Sequence, residues 1–503
     1  MKKYALISVY EKTNLEALCA TLKRFKINII ATKSTGSFIK KNNYKFEQIS
    51  ELINFPEMLG GKVKTIHPKI HASLLFDRKN NKEVKEFRSL NFPKIDYVIV
   101  NLYPFEKLFA NKNKYDDLVK MIDIGGVTLL RSAAKNNKYV TTITDINDYK
   151  SLEKNLISNK GKTTNYFRKK MASKAFETVS KYDNLISKSF VNTNKNSLNI
   201  INIFKNDLRY GENPHQDSFF YTLNRKNSLL ECVIQGKQLS YNNVLDINSA
   251  IDCVREFNLP TCVIIKHNNP CGVASNKNLN LAYINAKKCD SISSFGGVLA
   301  FNKTLNEKLA INIVKNYYEV VIAPNFNNKI LKILSKRKNL ILIDSNKLNT
   351  DKKLEVRSVN SGYIFQTKNI SKINIKNIKC ATNKKSNNSR IKDLIFALKV
   401  CKHLKSNAIV LANNGRTLAI GAGQMSRVDS TKIAVNKIKN KKISFVAASD
   451  GFFPFVDSIK ILLRKNCKAI VQPQGSINDK NIIKFANEKN LPIFFSKFRF
   501  FNH

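Results

Sequence analysis

The sequence predicts an α/β protein of two domains, the first built on a mostly parallel sheet, and three observations carry that reading. A chain of 503 residues exceeds what one hydrophobic core usually serves. Short β-branched runs alternate with amphipathic stretches, and such alternation implies parallel strands with helices on both faces. The polar tract at 191–199, VNTNKNSLN, carries turn and breaker residues without periodicity and reads as a linker. The expected domains are 1–195 and 200–503.

In the first domain, strands are expected at Tyr4 to Val9, Ile27 to Ala31, Tyr97 to Val100 and Tyr139 to Thr144, with helices at Asn14 to Phe25 and Tyr115 to Met121. Ligands of such sheets sit beyond the carboxyl ends of the strands. The second domain repeats the grammar: strands at Cys262 to Lys266, Val298 to Phe301, Glu319 to Ile322, Ala408 to Ala412, Phe445 to Ala448, Ala469 to Val471 and Ile493 to Phe495, with a helix at Ile391 to Leu404. No internal sequence repeat is evident. The Lys/Asn-rich region from 325 to 390 is expected to be peripheral.

Composition excludes several classes. No stretch approaches the roughly 20 apolar residues that span a bilayer, and Met1-Lys2-Lys3 runs straight into a short strand instead of a signal sequence. The expected location is the cytosol, with no membrane partner. Nine cysteines are scattered singly with no CxxC pair, and only six histidines accompany them, so neither a disulfide framework nor a zinc site is expected. A net charge of +49 invites a nucleic-acid reading, but the lysines are spread along the whole chain among Asn and Ile instead of forming one stripe. Solvated basic faces are the expectation, and no nucleic-acid partner.

The run Lys62-Val-Lys-Thr-Ile-His-Pro-Lys-Ile-His71 puts basic, hydroxyl and imidazole groups after the turn-like Gly60-Gly61, a set suited to phosphate. Asn101-Leu-Tyr-Pro-Phe105 follows a strand, so Asn101 and Tyr103 belong at the ligand-facing end of the sheet. Asp123-Ile-Gly-Gly-Val-Thr-Leu-Leu-Arg-Ser-Ala-Ala-Lys135 reads as a glycine turn entering a helix. Singly each has a structural explanation. Together with Lys64 they supply acid, base and phosphate donors in one cleft.

With Ser8-Val9 and Phe55-Pro-Glu-Met58, these segments resemble the inosine monophosphate cyclohydrolase domain, of methylglyoxal-synthase-like fold. The resemblance implies closure of the six-membered ring of formyl-AICAR with loss of water. It assigns substrate contacts to Lys12, Thr32, Lys33, Ser34, Thr35, Lys62, Lys64, Thr65, Asn101, Asp123 and Ile124. It gives catalytic roles to Lys64, Tyr103 and Asp123, with Lys135 as general acid/base. Departures fall on the nucleotide pocket: Tyr10-Glu11-Lys12 replaces Ser-Asp-Lys, and Lys33-Ser34 stands where relatives place two glycines. If that loop needs positive φ, Lys33 and Ser34 carry a penalty of roughly 1 kcal/mol or more each.

In the second domain, Leu208-Arg-Tyr-Gly-Glu-Asn-Pro-His-Gln216 offers Arg209 as a phosphate fork, and Lys266-His-Asn-Asn-Pro-Cys-Gly272 follows a buried-looking strand. A lone histidine is more often structural than catalytic, but Lys266 beside His267 permits one group to donate while the other accepts. Ser293-Ser-Phe-Gly-Gly297, Ser406-Asn407, Gly421-Ala-Gly-Gln-Met-Ser-Arg427, Ser449-Asp-Gly-Phe-Phe-Pro-Phe455 and Gln472-Pro-Gln-Gly-Ser476 add glycine loops, cations and aromatic walls of the kind a pteridine and its glutamate tail require.

This set resembles AICAR transformylase, a fold of tandem cytidine-deaminase-like α/β units without zinc. The resemblance runs in order through nearly the whole chain and is weakest from 325 to 390. It implies AICAR contacts at Arg209, Tyr210, Gly296, Glu319, Asn407, Arg427 and Arg499, and 10-formyltetrahydrofolate contacts at Val428, Phe452, Asp457, Ser476 and Ile477. Lys266 is the implied transition-state stabiliser and His267 the proton acceptor. Glu319 stands where some members carry Asp, and Gly451 replaces an alanine, a change expected to be neutral. The implied co-substrate is 10-formyltetrahydrofolate, with a monovalent cation in some form and no metal ligands, and the implied assembly is a homodimer with shared transformylase sites. Two rivals differ measurably: a transformylase whose cyclohydrolase has decayed would fail to close supplied formyl-AICAR, and a basic nucleic-acid-binding protein would be stabilised by RNA instead of AICAR.

Overall fold

A computed structural model describes residues 2–61, 63–110, 115–190, 204–222, 228–348, 354–438, 440 and 442–503. Lys62 and the expected linker at 191–199 lie outside the described residues. The chain divides into two compact units, Met1–Asn202 and Ile203–His503.

The first unit is built on a five-stranded sheet in the order Glu47–Gln48, Ile27–Ala31, Lys3–Val9, Ile95–Asn101, Thr141–Ile143, with every pairing parallel. Its central strands are apolar on both faces because helices cover both. Ala5, Ile7 and Val9 pack with Leu15, Leu18 and Leu22 of the Leu15–Arg24 helix, while Leu6 faces Ile70, Leu74, Leu129 and Leu130 on the other side. The register pairs Ile7 with Ala31 and Val9 with Asn101, so the carboxyl ends of three neighbouring strands come level. The last strand is shorter than expected, because the Tyr139 and Val140 N–H groups donate to Asn136 O at 2.9 and 3.0 Å in the turn that ends the preceding helix instead of joining the ladder.

The second unit carries a twelve-stranded mixed sheet. Its two halves share one topology. In each, a hairpin is extended from its first strand by an antiparallel neighbour and then by two parallel strands. The first half uses Thr261–Lys266, Asn269–Ser275, Val298–Phe301, Val320–Ala323 and Ile341–Asp344. The second uses Ile409–Asn413, Arg416–Gly421, Phe445–Ser449, Cys467–Pro473 and Ile493–Ser496. The halves join where Asn269–Ser275 meets Arg416–Gly421 antiparallel, at Ala274 and Arg416. The strand order therefore shows a repeated arrangement that the sequence does not display.

The region 325–390 is not all peripheral. Ile341–Asp344 is a fully buried strand between Val320–Ala323 and Val233–Gln235, and Asn328–Leu334 is a helix that buries Ile330 and Leu334. Lysines flanking this short apolar run hide it from compositional reading. The hairpin of Leu354–Val359 and Gly362–Thr367 does lie outside the core, exposed along both strands.

Candidate functional site

In the first unit, the segments after Val9, Ala31 and Asn101 gather at the carboxyl edge of the sheet. Lys64 Nζ approaches the Tyr103 hydroxyl at 3.5 Å and lies 6.0 Å from the centre of its ring. Asp123 completes the group. Its Oδ1 accepts the Gly126 N–H at 2.7 Å, and its own N–H donates to the Tyr182 hydroxyl at 2.8 Å, which anchors it to the long Asn165–Phe190 helix. Burial raises the Asp123 carboxyl above the ordinary aspartate range, against the pull of the Gly126 amide and the Lys64 charge. Thr65 is buried with its hydroxyl against Gly125, where a Cβ would stand 2.5 Å from Thr65 Oγ1. Lys12 donates to Tyr10 O at 3.4 Å, and Ile124 is exposed at the mouth.

Other expected residues are placed differently. Lys33 and Ser34 open the Lys33–Lys41 helix and neither has a positive φ, so no left-handed penalty applies. Lys33 is exposed, and its backbone N–H donates to Glu57 Oε1 at 3.2 Å. Thr32 and Thr35 are buried, and Thr35 Oγ1 accepts the Val9 N–H at 3.1 Å, so these hydroxyls fasten the helix to the strand. The Asn101 side chain accepts the N–H groups of Tyr10 and Glu11 at 2.6 and 3.0 Å and donates to Glu11 O at 2.8 Å. It shapes the loop that presents Tyr10, whose ring meets Tyr103 edge-on at 5.5 Å. Lys135 ends an 11-residue helix that begins at Gly125, about 15 Å along the axis from the Asp123 turn. It is exposed at the far end, which places it away from Lys64, Tyr103 and Asp123.

In the second unit, Lys266 and His267 stand where the Thr261–Lys266 strand turns back on itself. Lys266 Nζ donates to Phe295 O and Gly296 O at 3.2 Å each. Gly296 has φ +67°, and a Cβ there would sit 3.1 Å from Lys266 Nζ, so glycine keeps room for the ammonium. His267 is exposed at the tip of the turn, not buried. Glu319 precedes the next strand and accepts from Asn243 Nδ2 at 2.9 Å, with Lys237 Nζ at 3.6 Å. Because the sheet is mixed, the carboxyl end of one strand and the amino ends of two others meet at one edge. Arg209 lies near the start of the Tyr241–Val254 helix, with Nη2 donating to the Tyr210 hydroxyl at 3.0 Å. Its buried Nε has no hydrogen-bond partner.

The second half brings Asn407, Arg427 and Asp450 to that same edge. Arg427 is buried, donates to Ser449 Oγ at 3.0 Å and Asn407 Oδ1 at 2.8 Å, and pairs closely with the fully buried Asp450. A cavity of about 350 Å³ joins the halves, lined by Lys266, His267, Asn269, Gly423 and Gln424. Lys405 N–H donates to Asn269 Oδ1 at 2.9 Å across it. At Gly451 a Cβ would stand 2.5 Å from both Arg427 Nη2 and the Phe501 ring, so an alanine would have to shift these side chains, and the Phe501 ring lies 4.7 Å from the Arg499 guanidinium. Val428 and Asp457 lie in first helical turns, and Asn478 ties the Ser476-Ile477 loop to Pro454 O at 2.8 Å beside Phe452. Ile477, Met425 and Phe455 are exposed apolar side chains around it.

Asn243 and Asp246 were not foreseen from sequence, and neither was the pairing of Asp450 with Arg427. The available signal was a polar stripe, Asn243, Asp246 and Ser249, at three-residue spacing on a helix that also carries Asn242, Asn248 and Asp252. Among the described residues, no three His, Cys, Asp or Glu side chains gather as a metal set.

The MGS-like domain model matches residues 14–128, and the model of the AICARFT/IMPCHase bienzyme matches 133–437. The bifunctional purine biosynthesis protein PurH of Caldicellulosiruptor saccharolyticus is 41% identical over 100% of this chain and 100% of its own length, and that of Fusobacterium nucleatum is likewise 41% identical at the same coverage. The chain belongs to the PurH family. A crystal structure of ForH covers 38% of this chain and 100% of its own at 28% identity, with a TM-score of 0.35. The MGS-like match holds Lys64, Tyr103 and Asp123. The bienzyme match holds Lys266, His267, Asn407 and Arg427, and the full-length PurH matches extend over Asp457, Ser476 and Arg499.

Proposed function

We propose that two reactions run at two separate sites, ring closure in the first unit and formyl transfer in the second. As a PurH-family member the protein is a bifunctional enzyme of purine biosynthesis, which transfers formyl from 10-formyltetrahydrofolate to AICAR and cyclises formyl-AICAR to inosine monophosphate. The observation that carries the assignment of formyl transfer is the Lys266 ammonium held by two carbonyls beside the exposed His267.

In formyl transfer the AICAR amine attacks the formyl carbon while His267 takes its proton, and Lys266 offsets the charge on the developing oxyanion. The tetrahedral adduct collapses as the C–N10 bond breaks and the folate nitrogen takes up a proton. Arg209, Tyr210 and Arg499 supply phosphate donors, Gly296 and Glu319 face the ribose and base, and Arg427 with Asn407 closes the pocket. Val428, Phe452, Asp457, Ser476 and Ile477 form the folate side. In ring closure the carboxamide nitrogen attacks a formyl carbon already tethered to the same ring, so positioning supplies much of the rate. Lys64 and Tyr103 steady the oxyanion and Asp123 moves protons as water leaves, with Lys12, Thr65 and Ile124 around the nucleotide.

The shared topology of the two halves supports tandem cytidine-deaminase-like units. We place the domains at 1–195 and 200–503, the enzyme in the cytosol, a monovalent cation among its ligands, and the assembly as a homodimer that shares its transformylase sites. The exposed apolar Val356, Tyr363 and Phe365 of the outer hairpin suit a second subunit. One coupled assay tests the reading: AICAR plus 10-formyltetrahydrofolate should yield inosine monophosphate. Accumulation of formyl-AICAR without ring closure would instead support a decayed cyclohydrolase.

A further inference from the structure

Each half of the second unit contains a 14-residue helix whose sixth residue is an aspartate, Asp246 in Tyr241–Val254 and Asp393 in Asn388–Cys401. Each helix leads into a hairpin with a two-residue turn, His267-Asn268 in the first half and Asn414-Gly415 in the second. All four turn residues have positive φ: 50° and 61° in the first, 52° and 65° in the second. The aspartate holds the turn in both. Asp393 accepts the N–H groups of Asn414 and Gly415 at 2.9 and 2.8 Å, and Asp246 Oδ1 accepts the N–H of Asn268 at 2.6 Å.

Asn-Gly is the pair this turn favours, because both residues tolerate the left-handed region. His-Asn is not. A histidine at φ 50° presses its Cβ against the backbone, so the conformation has to be held from outside. The first-half helix holds its turn from two residues instead of one: Asp246 accepts a single turn N–H and Ser249, one turn beyond, bonds the Asn268 side chain, while Asn243, one turn before, bonds Glu319. One polar stripe thus touches the catalytic turn and a substrate-facing carboxylate together. Burial raises the Asp246 carboxyl, and the Asn268 amide and the His267 and Lys266 charges work against that.

We infer that Asp246 is a positioning residue for formyl transfer: by accepting the Asn268 N–H it holds His267 in the left-handed turn that presents the imidazole beside Lys266. This rests on the reading of Lys266 and His267 as the transfer pair. A brace that served folding alone would lower stability and leave the turnover of the folded enzyme intact. A positioning brace lowers kcat, because a misplaced base costs rate and not affinity.

The test uses the full chain and compares His267→Ala, Asp246→Ala and Asp246→Asn in formyl transfer, in closure of supplied formyl-AICAR, and in thermal unfolding. Asp246→Ala should lower transfer kcat by about 100-fold, with KM for AICAR within about 3-fold and ring closure at the wild-type rate. Asp246→Asn keeps a side-chain oxygen that accepts the Asn268 N–H and should recover kcat to within about 5-fold of wild type. The inference is overturned if Asp246→Ala transfers within about 3-fold of wild type, if only KM moves, or if Asp246→Asn is no better than Asp246→Ala. Asp246→Ser, judged by the same thresholds, replaces the alanine variant if that one does not fold. Retention of transfer by His267→Ala would instead remove the underlying reading, whatever Asp246 does.

Discussion

The His267-Asn268 and Asn414-Gly415 turns lie at opposite edges of one sheet, because the strands that follow them meet antiparallel at Ala274 and Arg416. Both have the same backbone shape and both are held by an aspartate from the preceding helix. They differ in residues. Where no chemistry is asked, the turn carries the pair that folds there most readily. Where a base is needed, a residue less suited to the conformation is kept, and a bond from Ser249 to the Asn268 side chain joins that of the aspartate. The lesson is that a duplicated frame supplies a geometry twice, and that function shows as the copy whose local sequence fits that geometry worse.

The contrast between a residue at a reacting edge and one removed from it recurs in the first unit, where the largest effect is expected. Lys64→Ala should lower ring closure by about 100-fold or more, while Lys135→Ala should stay within about 3-fold, because Lys135 lies at the far end of its helix. Steady-state closure of formyl-AICAR checks both. A severe loss in a folded Lys135→Ala protein would restore that lysine to the site and break the contrast.

A smaller effect sharpens the comparison between the turns. Asp393→Ala leaves two turn amides without their acceptor and should reduce stability by about 1–3 kcal/mol, with transfer kcat/KM within about 3-fold of wild type. Denaturant unfolding and the transfer assay on the same sample decide it. A rate loss there matching that of Asp246→Ala would mean that the two aspartates serve one global role.

The smallest effect concerns how the halves are tied. Burial pushes the Glu256 carboxyl up, but hydrogen bonds from His403 and Lys402 outweigh this and hold it down at about 2. A carboxylate depressed in the folded state contributes stability above its unfolded pKa of roughly 4.3 and loses it as pH falls toward the folded value. Wild-type stability should therefore drop between about pH 5 and pH 2, and Glu256→Gln should show a shallower drop over that window in acid unfolding curves. An unchanged acid limb would remove Glu256 as its source.

Much of this frame was legible in the sequence. Strands such as Lys3–Val9 and Val298–Phe301 announce themselves by β-branched runs, and the neighbours of Lys266 follow from the loops that precede or end strands. What escaped depends on tertiary register. Asp246 sits some 20 residues before the turn it holds, on a helix with several other polar residues, and nothing local announces which of them makes the contact. Lys33 and Ser34 suggested strain because relatives carry glycine there, yet a helix start accepts them without a left-handed residue. The strand Ile341–Asp344 was masked by the charge around it.

One variant assayed twice tests whether two chemistries occupy two independent sites. His267→Ala protein should lose formyl transfer from 10-formyltetrahydrofolate to AICAR by about 100-fold or more. The same preparation should close supplied formyl-AICAR at the wild-type rate, because Lys64, Tyr103 and Asp123 belong to the other unit. Loss of both activities in a folded protein, or transfer that persists without the imidazole, would contradict the account.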